Sequence, residues 1–174
     1  MHQVSNNHFQ ASSATSSAND NFEHFTIDLV PRGMQPVINL SVVRNFLDLL
    51  DPNAKEFSFQ TFDDKKRGGR ALIKQFHSEL ANIQDELISL NESGAGIFVT
   101  VQETNLQGRK AEDITRIRAI YADFDDGLPG GLPLEPSIEV ETSPGKCQYY
   151  WLCDGVSFEE FASVMERLVQ TLQN

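Results

Sequence analysis

Residues Arg116–Gly127 read R-I-R-A-I-Y-A-D-F-D-D-G, an apolar, β-prone run that ends in two carboxylates spaced two residues apart. Alternate side chains of a strand share a face, so Asp123 and Asp125 point the same way as Tyr121 and Ala119, while Ile120, Ala122 and Phe124 point to the core. Two acids held side by side repel each other and raise each other's proton affinity unless a cation lies between them. A hard divalent ion with oxygen ligands, Mg²⁺ or Mn²⁺, suits such a pair. The same residues also admit a plainer reading, a strand running out into a solvated acidic turn at Asp-Asp-Gly.

Downstream lies Glu139–Trp151, E-V-E-T-S-P-G-K-C-Q-Y-Y-W. Pro144-Gly145 makes a tight turn, and alternation after it puts Lys146, Gln148 and Tyr150 on one face and Cys147, Tyr149 and Trp151 on the other. A lysine and an amide beside two carboxylates match a nucleoside triphosphate: cation and Lys share the phosphate charge, and polar donors orient it. A hairpin with a solvated lysine and an aromatic core strand explains the same pattern without a ligand.

Composition sets the limits. The chain has 174 residues, 40% of them hydrophobic, and a formal net charge of −11; its mean hydropathy is −0.33. That is a single-domain length with enough apolar residues for a core. No apolar run spans a bilayer and the N-terminus lacks a hydrophobic leader, so a cytoplasmic protein without membrane contact is expected. Cys147 and Cys153 match no zinc or redox spacing and read as buried free thiols. The acidity argues against binding nucleic acid through a generally basic surface, though not through a metal. Local cations remain at Lys65-Lys66-Arg67 with Arg70, and at Arg109-Lys110 with Arg116 and Arg118.

Residues 1–35, rich in Ser, Asn, Gln and Ala, read as a disordered tail or linker whose His2, His8 and His24 are solvated. Residues 36–174 read as the folded part. Asn39 or Ser41 caps a helix to Leu50 with Val42, Val43, Phe46, Leu47 and Leu50 on its apolar face, stopped by Asp51-Pro52. Glu56–Phe62 alternates as a strand. Asp63–Gly69 is a polar loop. From Arg70, the steps Ile73, Phe76, Leu80, Ile83, Leu87 and Leu90 predict one long amphipathic helix, with His77 structural or solvated. Ile97–Val101 is a strand, Gln102–Lys110 a loop and Ala111–Thr115 a turn; Ile138–Thr142 and Lys146–Leu152 are strands. Ser157-Phe-Glu-Glu160 has the form of a capping box opening a helix with Phe161, Val164, Leu168 and Leu172 on its core side. The fold class expected is α+β, helices packed on a mixed, largely antiparallel sheet of about four or five strands.

Taken together, the segments F-S-F-Q-T-F-D-D, L-N-E-S-G-A-G-I-F-V-T-V-Q-E-T-N-L-Q-G-R, Y-A-D-F-D-D-G and V-E-T-S-P-G-K-C-Q-Y-Y-W, in this order from about Phe46 onward, resemble the RepB-like replication primases of plasmids and phages, within the archaeo-eukaryotic primase (primase-polymerase) superfamily. The resemblance implies an RRM-like palm and template-directed primer synthesis on single-stranded DNA by two-metal nucleotidyl transfer from nucleoside triphosphates. It makes Asp123 and Asp125 catalytic ligands of Mg²⁺ or Mn²⁺, and Ser143, Lys146 and Gln148 nucleotide contacts. Arg109, Lys110 and Arg116 become weaker candidates for template or phosphate contact. Two departures stand out. Gln148 occupies a position that is histidine in much of the superfamily, so it donates a hydrogen bond but carries no charge. The family's third acid lies on a later strand, and no candidate follows the last helix. The expectation is therefore a partial catalytic domain, truncated at the C-terminus, which in full length continues into a further domain such as a helicase, and which by itself is weakly active or inactive.

Two other readings compete with it. A rolling-circle nuclease needs a His-hydrophobe-His metal pair, which His2, His8, His24 and His77 do not form. A non-catalytic single-strand-binding module finds a faint likeness in Gly96–Val101, but the sequence lacks the stacked aromatic pairs and the basic face such modules use.

Overall fold

The computed structural model describes residues 10–12, 26–28, 39–63, 70–124, 134–143 and 146–172. They belong to two compact units, one built on Asp51–Arg116 and the other on the described parts of His8–Leu50 together with Ile117–Asn174. The first is therefore inserted into the second along the chain. The candidate residues 123–148 all belong to the split unit.

Within the stretch expected to be a tail, β1 (Gln10–Ser12) pairs antiparallel with β2 (Thr26–Asp28). Helix α1 follows at Leu40–Leu50 and buries Val42, Leu47 and Leu50. Asn39 is its cap: the side-chain oxygen accepts from the Ser41 amide at 3.2 Å and the Ser41 hydroxyl at 2.6 Å. Pro52 disfavours helical backbone at Asp51, which ends α1 where the sequence indicates.

In the inserted unit, β3 (Phe57–Asp63) runs between β4 (Gln75–Ser78) and β5 (Ala95–Val99), antiparallel to both. Phe57, Phe59 and Thr61 are buried on one face. The Thr61 hydroxyl donates to the Leu72 carbonyl at 2.7 Å and accepts from the Lys74 amide at 2.9 Å, tying the incoming chain to the strand. Helix α2 (Leu80–Glu92) buries Leu80, Leu87 and Leu90.

This corrects the expected helix from Arg70. Its first part is a short 3-10 turn at Arg70–Leu72 and the strand β4, and Glu79, extended at φ −64° and ψ 140°, separates β4 from α2. The apolar steps at Ile73 and Phe76 fit a helix by coincidence. What holds Gln75–Ser78 extended is ladder pairing with β3 and a 2.7 Å hydrogen bond between Ser58 Oγ and His77 Nδ1. His77 is thus structural, as expected.

On the second face of this sheet, Ser58 and Gln60 are buried polar residues. Ser58 Oγ is also 2.5 Å from Thr104 Oγ1 on β6 (Glu103–Thr104), which pairs antiparallel with β7 (Ile114–Arg116) across a 3-10 turn at Ala111–Asp113. Arg116 binds Glu103 through Nε and Asp51 through its terminal nitrogen, both at 2.5 Å. These partners, chiefly the Glu103 hydrogen bond, push the guanidinium pKa up.

In the split unit, β10 (Lys146–Leu152) runs between β8 (Ala119–Phe124) and β9 (Ile138–Ser143), antiparallel to both. Cys147, Tyr149 and Trp151 form a buried cluster on one face with Ile120, Ala122, Phe124 and Leu168 packed against it. Leu168 belongs to α3 (Phe158–Leu172). On the opposite face Ile138, Val140 and Tyr150 are buried, and Phe46 of α1 meets the Tyr150 ring edge-on at 5.4 Å. A helix lies against each face of this sheet.

The α+β character read from the sequence is present, and every described ladder is antiparallel: two of three strands and two of two. No helix among the described residues is long and apolar enough to cross a membrane.

Two outcomes are expected. Phe59→Ala, at a side chain only 2% exposed, costs about 3–5 kcal/mol of stability, measurable by urea denaturation. At the start of α3, Glu160 accepts from the amide and hydroxyl of Ser157, whose Oγ accepts in turn from the Glu160 amide at 3.2 Å. The Ser157 hydrogen bonds hold the Glu160 carboxyl below its ordinary range, so this contribution is full at neutral pH and is lost as pH falls through the lowered pKa. The melting temperature of Ser157→Ala therefore lies below that of the parent at neutral pH, and the gap narrows in acid.

Candidate nucleotide site on the β8–β10 face

Asp123 and Gln148 are direct cross-strand partners in the β8–β10 ladder. Opposed residues share a face with Cβ atoms roughly 5 Å apart. Lys146, two positions before Gln148 on the same strand, is exposed on that face, and so is Asp123. A carboxylate, an amide and an ammonium group thus share one face at one end of the sheet.

Register puts them there. The apolar residues Cys147, Tyr149 and Trp151 are drawn to the α3 side, which turns Lys146, Gln148 and Tyr150 to the other. At the same end β9 carries a bulge: Lys146 opposes Ser143 while Cys147 opposes Glu141. Thr142 is the extra residue, and its hydroxyl donates to the Lys146 carbonyl at 3.1 Å. A bulge adds local twist and re-aims neighbouring side chains. Ser143 takes part through its backbone pairing with Lys146. Asp125 and the side chain of Ser143 lie outside the described residues.

Behind the polar group stands an aromatic stack. Tyr150 is 6% exposed, and its hydroxyl donates to Gln148 Oε1 at 2.9 Å. Tyr121, opposite Tyr150 in the ladder and 43% exposed, stacks on it with centroids 6.3 Å apart. Burial first, and then the negative charge of Asp123, push the Tyr150 phenol well above its ordinary range. The hydroxyl consequently remains a donor and occupies the oxygen end of the Gln148 amide. The two N–H donors of Gln148 are the end left to meet an anion.

On the α3 side, burial pushes up the Cys147 thiol, which keeps it protonated and inert. The Tyr149 hydroxyl donates to Glu139 at 3.2 Å. Cys153 is also a free thiol, donating to the Trp151 carbonyl at 3.2 Å and only partly buried.

The remaining cations divide. Arg116 is engaged by Asp51 and Glu103, and Arg118 is 4% exposed, so both are structural. Lys110 is exposed beside Glu112 at 3.6 Å. Arg109 lies over the Phe62 ring at 5.4 Å from its centroid.

Hard carboxylate oxygen is the right donor for Mg²⁺ or Mn²⁺, and Asp123 offers it at an exposed strand end. Among the described residues no group of three or more His, Cys, Asp or Glu could hold a metal ion.

Alkaline titration followed at the phenolate absorbance tests the stack. Tyr149 and Tyr150 both have raised pKa values, so their protonated forms stabilise the fold below the ordinary phenol range and that contribution is lost as pH rises. Both should ionise only in step with unfolding, and Tyr150→Phe should remove part of that late amplitude. Comparison with protein family models, with curated proteins and with solved structures returns no significant match for this chain.

Proposed function

We propose that the chain carries the catalytic face of a replication DNA primase or primase-polymerase of the kind found on plasmids and phages, making primers on a single-stranded DNA template from nucleoside triphosphates. The observation that carries the reading is the direct opposition of Asp123 and Gln148 with Lys146 on the same face. In this reading Asp123 and Asp125 hold Mg²⁺ or Mn²⁺, which when bound neutralises phosphate charge and makes the primer hydroxyl a better nucleophile. Lys146 contributes a mobile positive charge to the phosphates. Gln148 donates from its amide nitrogen, oriented by the Tyr150 hydroxyl, and being neutral it gives a weaker hold than an imidazolium would. Ser143 shapes the turn beside them. A further domain such as a helicase is a fitting companion for this activity in a longer protein.

A second reading, a single-strand-binding module without chemistry, draws on a different observation, the exposed ring pair Phe62–Phe98.

Primer synthesis on a single-stranded template by the full-length protein, assayed with labelled nucleotide and Mn²⁺, separates them. Asp123→Ala should abolish synthesis, and Gln148→Ala should raise the nucleotide KM roughly ten-fold, the equivalent of one lost charge-assisted hydrogen bond. Primers made undiminished by Asp123→Ala would remove the catalytic assignment.

A further inference from the structure

The inserted unit carries an aromatic surface that the nucleotide-site reading does not use. Phe62 on β3 and Phe98 on β5 are 38% and 36% exposed. Their rings meet edge-to-face with centroids 5.4 Å apart. They share one face of the sheet because Phe62 opposes Gly96 and Phe98 opposes Gln60 in the β3–β5 ladder. Glycine puts no side chain across from Phe62, and Gln60 turns its amide to the Thr61 and Lys74 carbonyls at 2.8 and 2.9 Å. The two phenyl groups are thereby left standing on the diagonal.

Arg109 adds a cation. The loop that carries it is tied down by Asp113, which accepts from the Lys110 amide at 3.0 Å and from the Asn105 side chain at 3.3 Å, while the Asn105 amide donates to the Asp113 carbonyl at 2.8 Å. Gly108 is required there, since a Cβ would sit 2.1 Å from Asp113 Oδ2. Leu106 takes a left-handed backbone at φ 60°, a conformation L residues adopt at a cost. The loop is held in one shape, with the Arg109 guanidinium parked over Phe62.

Two partly exposed rings on neighbouring strands, with the Arg109 guanidinium 5.4 Å from the centroid of one, offer what unpaired bases and their phosphates select: bases stack on aromatic rings and on guanidinium planes, and the charge meets the backbone. In a chain of net charge −11, Arg109 on these rings is the local positive charge that a nucleic-acid backbone would meet, and nucleobases, unlike an acidic protein surface, also bring flat faces for the rings. We infer that the Phe62–Phe98–Arg109 face of the β4-β3-β5 sheet is a docking surface for single-stranded nucleic acid, with one base stacked on Phe98 and another against the Arg109 plane. This goes beyond the proposed chemistry and does not depend on it, because the surface needs neither metal nor nucleotide.

The test is fluorescence anisotropy of a labelled oligothymidine strand titrated with the full chain in the presence of a chelator. Phe98→Ala should weaken binding between five- and a hundred-fold, the range for losing roughly one stacked base, and Phe62→Ala, which removes the ring under Arg109, should weaken it less. Phe98→Tyr, which keeps a ring, should bind like the parent, and Arg109→Ala should reduce the salt slope by about 0.7, the value for one single-strand phosphate. Far-ultraviolet circular dichroism and the melting temperature identify a variant that has lost its fold; Phe98→Leu, which removes the ring but keeps apolar bulk, and Arg109→Ala then stand in for it. Parent-like binding by folded Phe98→Ala, or an abasic strand bound as tightly as oligothymidine, would overturn the proposal. So would sedimentation showing that the parent self-associates through this face, with Phe98→Ala monomeric and its oligothymidine affinity unchanged. Because the titration is run without metal, its failure and a failure of primer synthesis are separate results.

Discussion

The register of β10 governs the split unit. A slip of one residue would send Cys147, Tyr149 and Trp151 to the α1 side and turn Lys146, Gln148 and Tyr150 into the apolar layer under α3. The cost of exposing one set while burying the amide and ammonium of the other is what holds Gln148 opposite Asp123. The Trp151 indole reinforces it by donating to the Leu134 carbonyl at 2.9 Å. The polar group on the front of the sheet therefore depends on apolar packing at its back.

Electrostatics on the front follow from the same arrangement. Tyr150 is enclosed between Phe46 and Tyr121, and a negative Asp123 nearby opposes its ionisation. A phenol kept neutral retains the proton that it donates to the neighbouring Gln148 amide oxygen. The Tyr150 hydroxyl, buried with its ring, finds its partner in the Gln148 amide.

Much of this was legible in the residues. Period-two alternation assigned the two faces of β8 and β10, the Ser157–Glu160 pattern marked the start of α3, and Asn39 and Pro52 bracketed α1. What failed was local: Ile73 and Phe76 mimic helical spacing, but pairing of Gln75–Ser78 with β3 outweighs a pattern of only two steps. The division into separate short ladders, and the break at Ile117–Arg118 between β7 and β8, have no local signature because they depend on which strands find partners. Partners distant in the chain were likewise invisible. Nothing in Phe62 or Phe98 alone announces that they meet, although Gly96 in the middle of an apolar strand is the kind of signal that marks a place where something else comes close. Arg116, grouped with the basic residues by sequence, is claimed by Asp51 and Glu103, which no linear pattern reveals.

The ion pair between Asp51 and Arg116 joins the first and last residues of the inserted unit. Bringing together the ends of a flexible segment this long costs roughly 4 kcal/mol in lost chain entropy. The pair closes the insert at the two points where the chain enters and leaves it. With those ends held, the split unit has a short gap to bridge in place of a long loop, whichever unit folds first.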